Sequence, residues 1–215
     1  MLLSEIEPLL ISRLGMPLPG AAAHSSMRAR FLDNTFPKFT HTLPARSGAV
    51  LILLYQDGEK VRFPIIRRQV YAGAHSGQVS LPGGKSEAGE TAMQTALRET
   101  EEEIGVPRTL PQVLGTLTEF FVIPSNFMVT PIVATIDHMP TFVRDEYEVA
   151  DILSGDLDSL VRENAILEAE IIASGQYKMV APHFMFGKAM VWGATAMMLN
   201  EFRHILRDAL ESRTR

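Results

Sequence analysis

The 215-residue chain has no cysteine, which excludes disulfides, thiol nucleophiles and thiolate-ligated zinc or iron–sulfur centres. The absence fits a reducing compartment. Long apolar runs are missing as well. The longest, Ala49 to Tyr55, is strand-sized and far short of the ~18 residues that span a bilayer. The opening Met1-Leu2-Leu3-Ser4-Glu5 lacks the basic stretch of a secretory signal, so the expectation is a cytoplasmic protein with no membrane partner. Nor is there an excess of positive charge. With 20 Lys+Arg against 25 Asp+Glu, the net charge is −5, which argues against a nucleic-acid partner but leaves room for a small nucleotide substrate. Internal repeats and low-complexity tracts are also lacking. What is present is an ordinary globular composition, 46% hydrophobic and 21% charged, in a chain long enough to bury one sizeable core.

Residues 3–14 carry an apolar stripe of Leu3, Ile6, Leu9, Leu10 and Leu14 at helical spacing. The next thirty or so residues mix Pro, Ser, Arg and Phe without a period, so 1–45 reads as a helix and a wrapping arm, and 46–215 as the domain proper. Ala49–Tyr55 and Val61–Arg67 flank Asp57-Gly58 and predict a hairpin. A short run Val79–Leu81 precedes Pro82-Gly83-Gly84. Residues 90–104 predict a helix stopped by Gly105 and Pro107. Strands are expected over Val113–Val122, Met128–Ile136 and Glu146–Ile152, with Ala165–Ile172 and Tyr177–Phe186 open between strand and loop, and a closing helix over 190–210 that holds Trp192. This mixture implies an α/β or α+β layered fold.

The segment Gly84–Val106 concentrates the chemistry. Six acids meet two bases there, so most of the net charge is local. At about 100° per residue, Glu99, Glu102 and Glu103 share one helix face, with Glu101 on the far side. Met93, Ala96, Leu97, Thr100 and Ile104 form the adjoining core face. Glu99 and Glu103 are like charges four residues apart, and three glutamates crowd the last turn, where the helix dipole disfavours anions. Two readings follow from the charges alone. One is a solvated acidic face; the other is a site for a hard divalent cation such as Mg²⁺ or Mn²⁺, whose charge would offset the repulsion.

The spacing goes further. Gly84, five residues, Glu90, seven residues, then Arg98-Glu99-Thr100-Glu101-Glu102-Glu103-Ile104-Gly105-Val106 resembles the signature of the Nudix hydrolases, with Thr100 where an aliphatic residue is usual. The resemblance implies a mixed-sheet α/β/α sandwich bearing a loop–helix–loop catalytic box that binds divalent metal and cleaves a diphosphate. It also implies roles. Glu99, Glu102 and Glu103 would be metal ligands, and Gly84 would offer its backbone carbonyl. Glu90 and Arg98 would hold the loop and the carboxylates in place. Which carboxylate or loop residue takes the proton from water varies within that family.

Upstream, Arg67-Arg68-Gln69 and His75-Ser76-Gly77-Gln78-Val79-Ser80-Leu81-Pro82-Gly83-Gly84 resemble the substrate motif of the coenzyme A diphosphatases. The departures are Ile66, Gln69, Gly73 and Leu81, where that motif has Thr, a small residue, Arg and Phe. The likeness extends over about residues 47–209. It implies cleavage of coenzyme A or acyl-coenzyme A, with Arg68, Arg67, His75 and Gln78 as substrate-binding candidates. Strand alternation sends Arg67 and Arg68 to opposite faces, which favours Arg68. Glu148 or Glu146 could add a further carboxylate. Gly73 in place of Arg keeps ADP-ribose, NADH or a nucleoside triphosphate open as substrates. A non-catalytic nucleotide-sensing module on the same fold is the other alternative. The resemblance and the Met-rich final helix are also consistent with a homodimer.

Overall fold

A computed structural model describes residues 1–32, 38–70, 77–173, 175 and 177–213. In chain order the elements are α1 (Leu3–Leu14), α2 (Ala21–Ser25), β1 (Arg30–Phe31), β2 (Arg46–Asp57), β3 (Lys60–Arg68), β4 (Val79–Ser80), β5 (Gly83–Lys85) and α3 (Ala92–Ile104). There follow β6 (Gln112–Thr116), β7 (Phe120–Val122), β8 (Phe127–Ile136), β9 (Val149–Asp156), α4 (Leu157–Val161), β10 (Leu167–Ala173), β11 (Tyr177–Phe186), β12 (Ala189–Trp192) and α5 (Gly193–Ser212).

Among the described residues the strands form two sheets. The larger runs β4-β3-β2-β8-β6, with β5 on β2, β7 on β8 and β9 on β3. β2 and β8 are parallel, in register from Arg46↔Phe127 to Tyr55↔Ile136, while β3 joins β2 antiparallel through a two-residue turn closed by Asp57↔Lys60. Gly58 takes φ +58° there, the left-handed conformation such a turn requires. Leu51, Ile52, Leu53 and Leu54 are all fully buried, so the central strand is covered on both faces. On one face Ile52, Leu54, Phe63 and Ile65 meet Leu3, Ile6 and Leu10 of α1 and Leu199, Phe202 and Ile205 of α5. On the other, Leu51, Leu53 and Ile66 meet Ala96 and Ile104 of α3. The result is the expected α/β/α sandwich about a mixed sheet, with α1 and α5 on one side and α3 on the other. The smaller sheet, β1-β11-β10 with β12, joins the α5 side through Phe63 against Phe186, ring centroids 5.2 Å apart.

Several boundaries differ from the sequence expectations, each for a local reason. The strand expected over 113–122 is broken because Thr118 turns its N–H and hydroxyl to the Glu201 carboxylate (3.3 and 2.6 Å). The strand expected from Glu146 starts at Val149, because the Asp145 carboxylate accepts from the N–H groups of Tyr147 and Glu148. Trp192 is the last residue of β12 and precedes α5, so it does not lie in the helix. Met93, placed on the core face by periodicity, is 44% exposed in the first turn of α3.

The arm after α1 is pinned to α5 by a buried polar cluster. Glu201, fully buried, accepts from His24 Nε2 at 2.9 Å and from the Gly20 N–H at 3.1 Å. Asn200 donates to the Ala23 carbonyl at 2.8 Å. With so many donors facing it, the Glu201 carboxyl lies below its ordinary range despite a burial that by itself pushes it up.

Candidate active site

Helix α3 has defined ends. Thr91 caps it in a reciprocal box with Gln94, and Gly105, at φ +73°, ends it with its N–H on the Glu101 carbonyl. Thr100 is buried, and its hydroxyl donates back to the Ala96 carbonyl at 2.7 Å. That bond satisfies the polar group that departs from the aliphatic pattern.

Arg98 is the organiser of the site. Its Nε and Nη2 donate to the two oxygens of Glu90 at 2.7 and 3.1 Å. Its Nη1 reaches Glu99 at 3.0 Å and Glu102 at 2.7 Å, and Nη2 also meets the Lys85 carbonyl at 3.0 Å. A planar guanidinium can serve this many acceptors at once; an ammonium cannot. Glu90 further accepts from the Glu87 N–H and the Thr95 hydroxyl, each at 2.9 Å. The Arg98 guanidinium above all holds its carboxyl down at about 2. Glu90 thus ties the loop before the helix to the helix itself.

The three glutamates sit at graded depths, their side chains 55% exposed for Glu102, 14% for Glu99 and 2% for Glu103. Burial raises the Glu99 carboxyl, against the pull of Arg98. It drives Glu103 up to about 8, even though Glu103 accepts from the Gly83 N–H at 2.8 Å and faces Arg68 at 3.3 Å. Glu148 adds its negative charge to both groups, which identifies it, rather than Glu146, as the further carboxylate facing this cluster. Glu101 points elsewhere and pairs with Arg108.

Gly84 lies in β5, opposite Ala49. A Cβ at this position would meet the Glu99 carboxylate at 2.3–2.7 Å, so only glycine lets the backbone pass so close. The Gly84 carbonyl oxygen in turn lies so near Gly48 that a Cβ there would approach it to 2.6 Å.

The other residues singled out by sequence separate. Arg68 reaches the carboxylates, whereas Arg67, in register with Val79 and Asp151, has no ion pair with them among the described residues. Gln78 bonds through its carbonyl to the Arg68 N–H at 3.0 Å. His75 and Gly73 lie outside the described residues. A cleft of about 580 Å³ adjoins the cluster, lined by Arg68, Gln69, Val70, Glu146, Tyr147 and Glu148. Sequence reasoning missed Tyr147, which lines this cleft from a turn that no motif marks.

The donors suit a divalent cation. They are hard carboxylate oxygens on a rigid helix, and burial and mutual repulsion hold two of them above their ordinary range. Arg98 engages one oxygen each of Glu99 and Glu102; the other has no protein hydrogen bond among the described residues. No three acidic or imidazole groups among the described residues are already closed around one point.

Comparison with known proteins is consistent with this geometry. The family described as NUDIX domain matches residues 45–174. A protein of Yersinia enterocolitica named uncharacterized Nudix hydrolase NudL is 33% identical over 136 residues, 63% of this chain and 69% of that one. The human mitochondrial coenzyme A diphosphatase NUDT8 is 29% identical over 180 residues, 82% of this chain and 76% of that one. The crystal structure of a MutT/nudix family protein from Enterococcus faecalis covers 96% of this chain and 75% of its own, with a TM-score of 0.51 at 14% identity, a likeness of fold.

Proposed function

Because the chain belongs to the NUDIX domain family and is a Nudix diphosphatase, we propose that its substrate is coenzyme A or an acyl-coenzyme A, cleaved to 4′-phosphopantetheine (or its acyl form) and adenosine 3′,5′-bisphosphate. The observation that carries this choice is the similarity to the human coenzyme A diphosphatase over 82% of the chain. We take residues 46–215 as the hydrolase domain and residues 1–45 as an arm packed against it, in a cytoplasmic protein that assembles as a homodimer.

Glu99, Glu102 and Glu103, with the Gly84 carbonyl, would hold Mg²⁺ or Mn²⁺. Such an ion would supply acidity to a water and offset charge on the phosphoryl oxygens. Arg98, itself held by Glu90, braces Glu99 and Glu102, while the Gly83 N–H and Arg68 hold Glu103, which limits the reorganisation the reaction would need. Arg68 stands where a guanidinium can meet a substrate phosphate. Water attacks one phosphorus, a new P–O bond forms, and the bond to the bridging oxygen breaks with its electron pair leaving on the second phosphate. The proton of the attacking water passes to a carboxylate of the cluster or to a nearby loop residue.

A substrate panel with Mg²⁺ or Mn²⁺ in ¹⁸O-water, read by mass spectrometry, tests the reading. Coenzyme A should give the two named products with one labelled phosphate. Faster cleavage of ADP-ribose, NADH or a nucleoside triphosphate would overturn the substrate assignment.

A further inference from the structure

Tyr147 is 91% exposed, although tyrosine ordinarily covers much of its ring. It does not stand on a loose loop. The Asp145 carboxylate accepts from the N–H groups of Tyr147 and Glu148 at 2.8 and 2.9 Å. Gln69, the residue that follows β3, brackets the same turn, its side-chain amide donating to the Glu146 carbonyl at 2.8 Å and its backbone N–H to the Glu148 carbonyl at 3.0 Å. The turn is also tied to the acidic helix, since the Asp145 N–H donates to the Glu103 carbonyl at 3.0 Å. An exposed aromatic ring is therefore held by a braced turn that begins where the carboxylate helix ends.

The ring also borders the cleft that Arg68 shares with Glu148, and it is the aromatic side chain among the cleft's described lining residues. The cleft offers both kinds of contact that a nucleotide needs. Arg68, beside Glu103, supplies positive charge. Glu146 and Glu148, on either side of Tyr147 in the chain, also line it and can accept a hydrogen bond from an exocyclic amine. A nucleotide carries the matching groups, an anionic phosphate and an aromatic base with N–H donors.

We infer that Tyr147 is the platform on which the purine base of the substrate stacks while its phosphate lies toward Arg68. The inference deepens the diphosphatase reading above and rests on it. Base–aromatic stacking is removed by truncation to alanine and largely kept by phenylalanine.

The test compares AMP with ribose 5-phosphate, ligands that differ by the base, on the full chain. Calorimetry is run on wild type, Tyr147→Ala, Tyr147→Phe and Tyr147→Leu. Expected is a loss of AMP affinity on the order of 10- to 100-fold in Tyr147→Ala, with ribose 5-phosphate changed less than about twofold. Phenylalanine should restore AMP binding and leucine should not. The KM for the cleaved substrate should rise in step, with the effect in KM rather than kcat. Melting temperatures, which an exposed side chain should leave unmoved, check folding. Equal losses for both ligands, no loss for either, or leucine serving as well as phenylalanine would overturn the inference. The substrate panel is scored separately. A substrate other than coenzyme A would refute that assignment while the AMP comparison still decides the role of Tyr147.

Discussion

Replacing Gly84 with alanine isolates the placement of one carboxylate. The added Cβ would stand 2.3 Å from Glu99 Oε2, whereas ordinary contact begins near 3.4 Å, so the carboxylate must retreat by roughly 1 Å. It cannot swing away freely, because its other oxygen is held by Arg98 at 3.0 Å and the side chain is only 14% exposed. The backbone at Gly84 does not have the positive φ of its neighbour Gly83, so alanine brings little conformational strain of its own. A displacement of about 1 Å at a reacting centre costs on the order of 100-fold in rate. The expected result for Gly84→Ala is a kcat lower by about that factor, with a urea-unfolding free energy within about 1 kcal/mol of wild type. Gly83→Ala is the control. Its Cβ would strike the Ala49 carbonyl oxygen at 2.3 Å and Val50 Cα at 2.5 Å at φ +145°, backbone atoms that cannot step aside, so this variant should lose stability first. A folded Gly84→Ala enzyme within about threefold of wild-type kcat would show that the position of Glu99 does not limit the reaction.

Other expectations follow from the same contacts. Glu103 is lifted from an ordinary 4.5 to about 8 by burial, so in metal-free protein its ionisation opposes folding. The penalty is absent below about pH 4.5, grows as pH rises and is complete above about pH 8, with an upper bound of about 4–5 kcal/mol. Glu103→Gln should therefore match wild type in melting temperature at pH 4.5 and exceed it at pH 8.5 in EDTA; a constant difference across that range would refute the assignment. Mg²⁺ or Mn²⁺ binding at pH 7 should release close to one proton, seen as a buffer-dependent heat in calorimetry, and a buffer-independent heat would contradict it. Arg98→Lys cannot reproduce the contacts to Glu90, Glu99, Glu102 and the Lys85 carbonyl, and kcat should fall about 10- to 100-fold; wild-type turnover would show that the carboxylates need no such brace. Glu201→Ala strands the donors on His24, Gly20 and Thr118 and should cost about 3 kcal/mol or more in urea unfolding. A loss under 1 kcal/mol would mean that the arm is not held by this cluster.

Much of the architecture was legible because it rests on periodicity. Leu3–Leu14 was read to its bounds, and the α3 terminus follows from Gly105, whose left-handed φ only glycine adopts cheaply. The glutamate face follows from helical geometry, since residues three and four apart must be neighbours. Where the reading failed, a distant partner had outbid a local preference. Thr118 leaves its strand for Glu201 in α5, and the start of β9 is moved from Glu146 to Val149 by the Asp145 turn. Periodicity also misplaced Met93, because which turns of an amphipathic helix are covered depends on what lies opposite, not on the angle around the helix alone.

By itself, the sequence determined the composition-level exclusions, the layered class and the acidic box, because spacing along one helix is a local quantity. Only the tertiary structure decided the electrical character of each carboxylate. Glu90, Glu99 and Glu103 are chemically alike, yet Glu90 is held at about 2 by Arg98, and Glu103 is lifted to about 8 by burial that outweighs the Gly83 N–H and Arg68. Arg68 is 35 residues away from Glu103, and Glu148 lies on a turn beyond β8. Desolvation and charge pairing depend on which segments close over a group, and that is settled only when the sheet, the helix and the 145–148 turn come together.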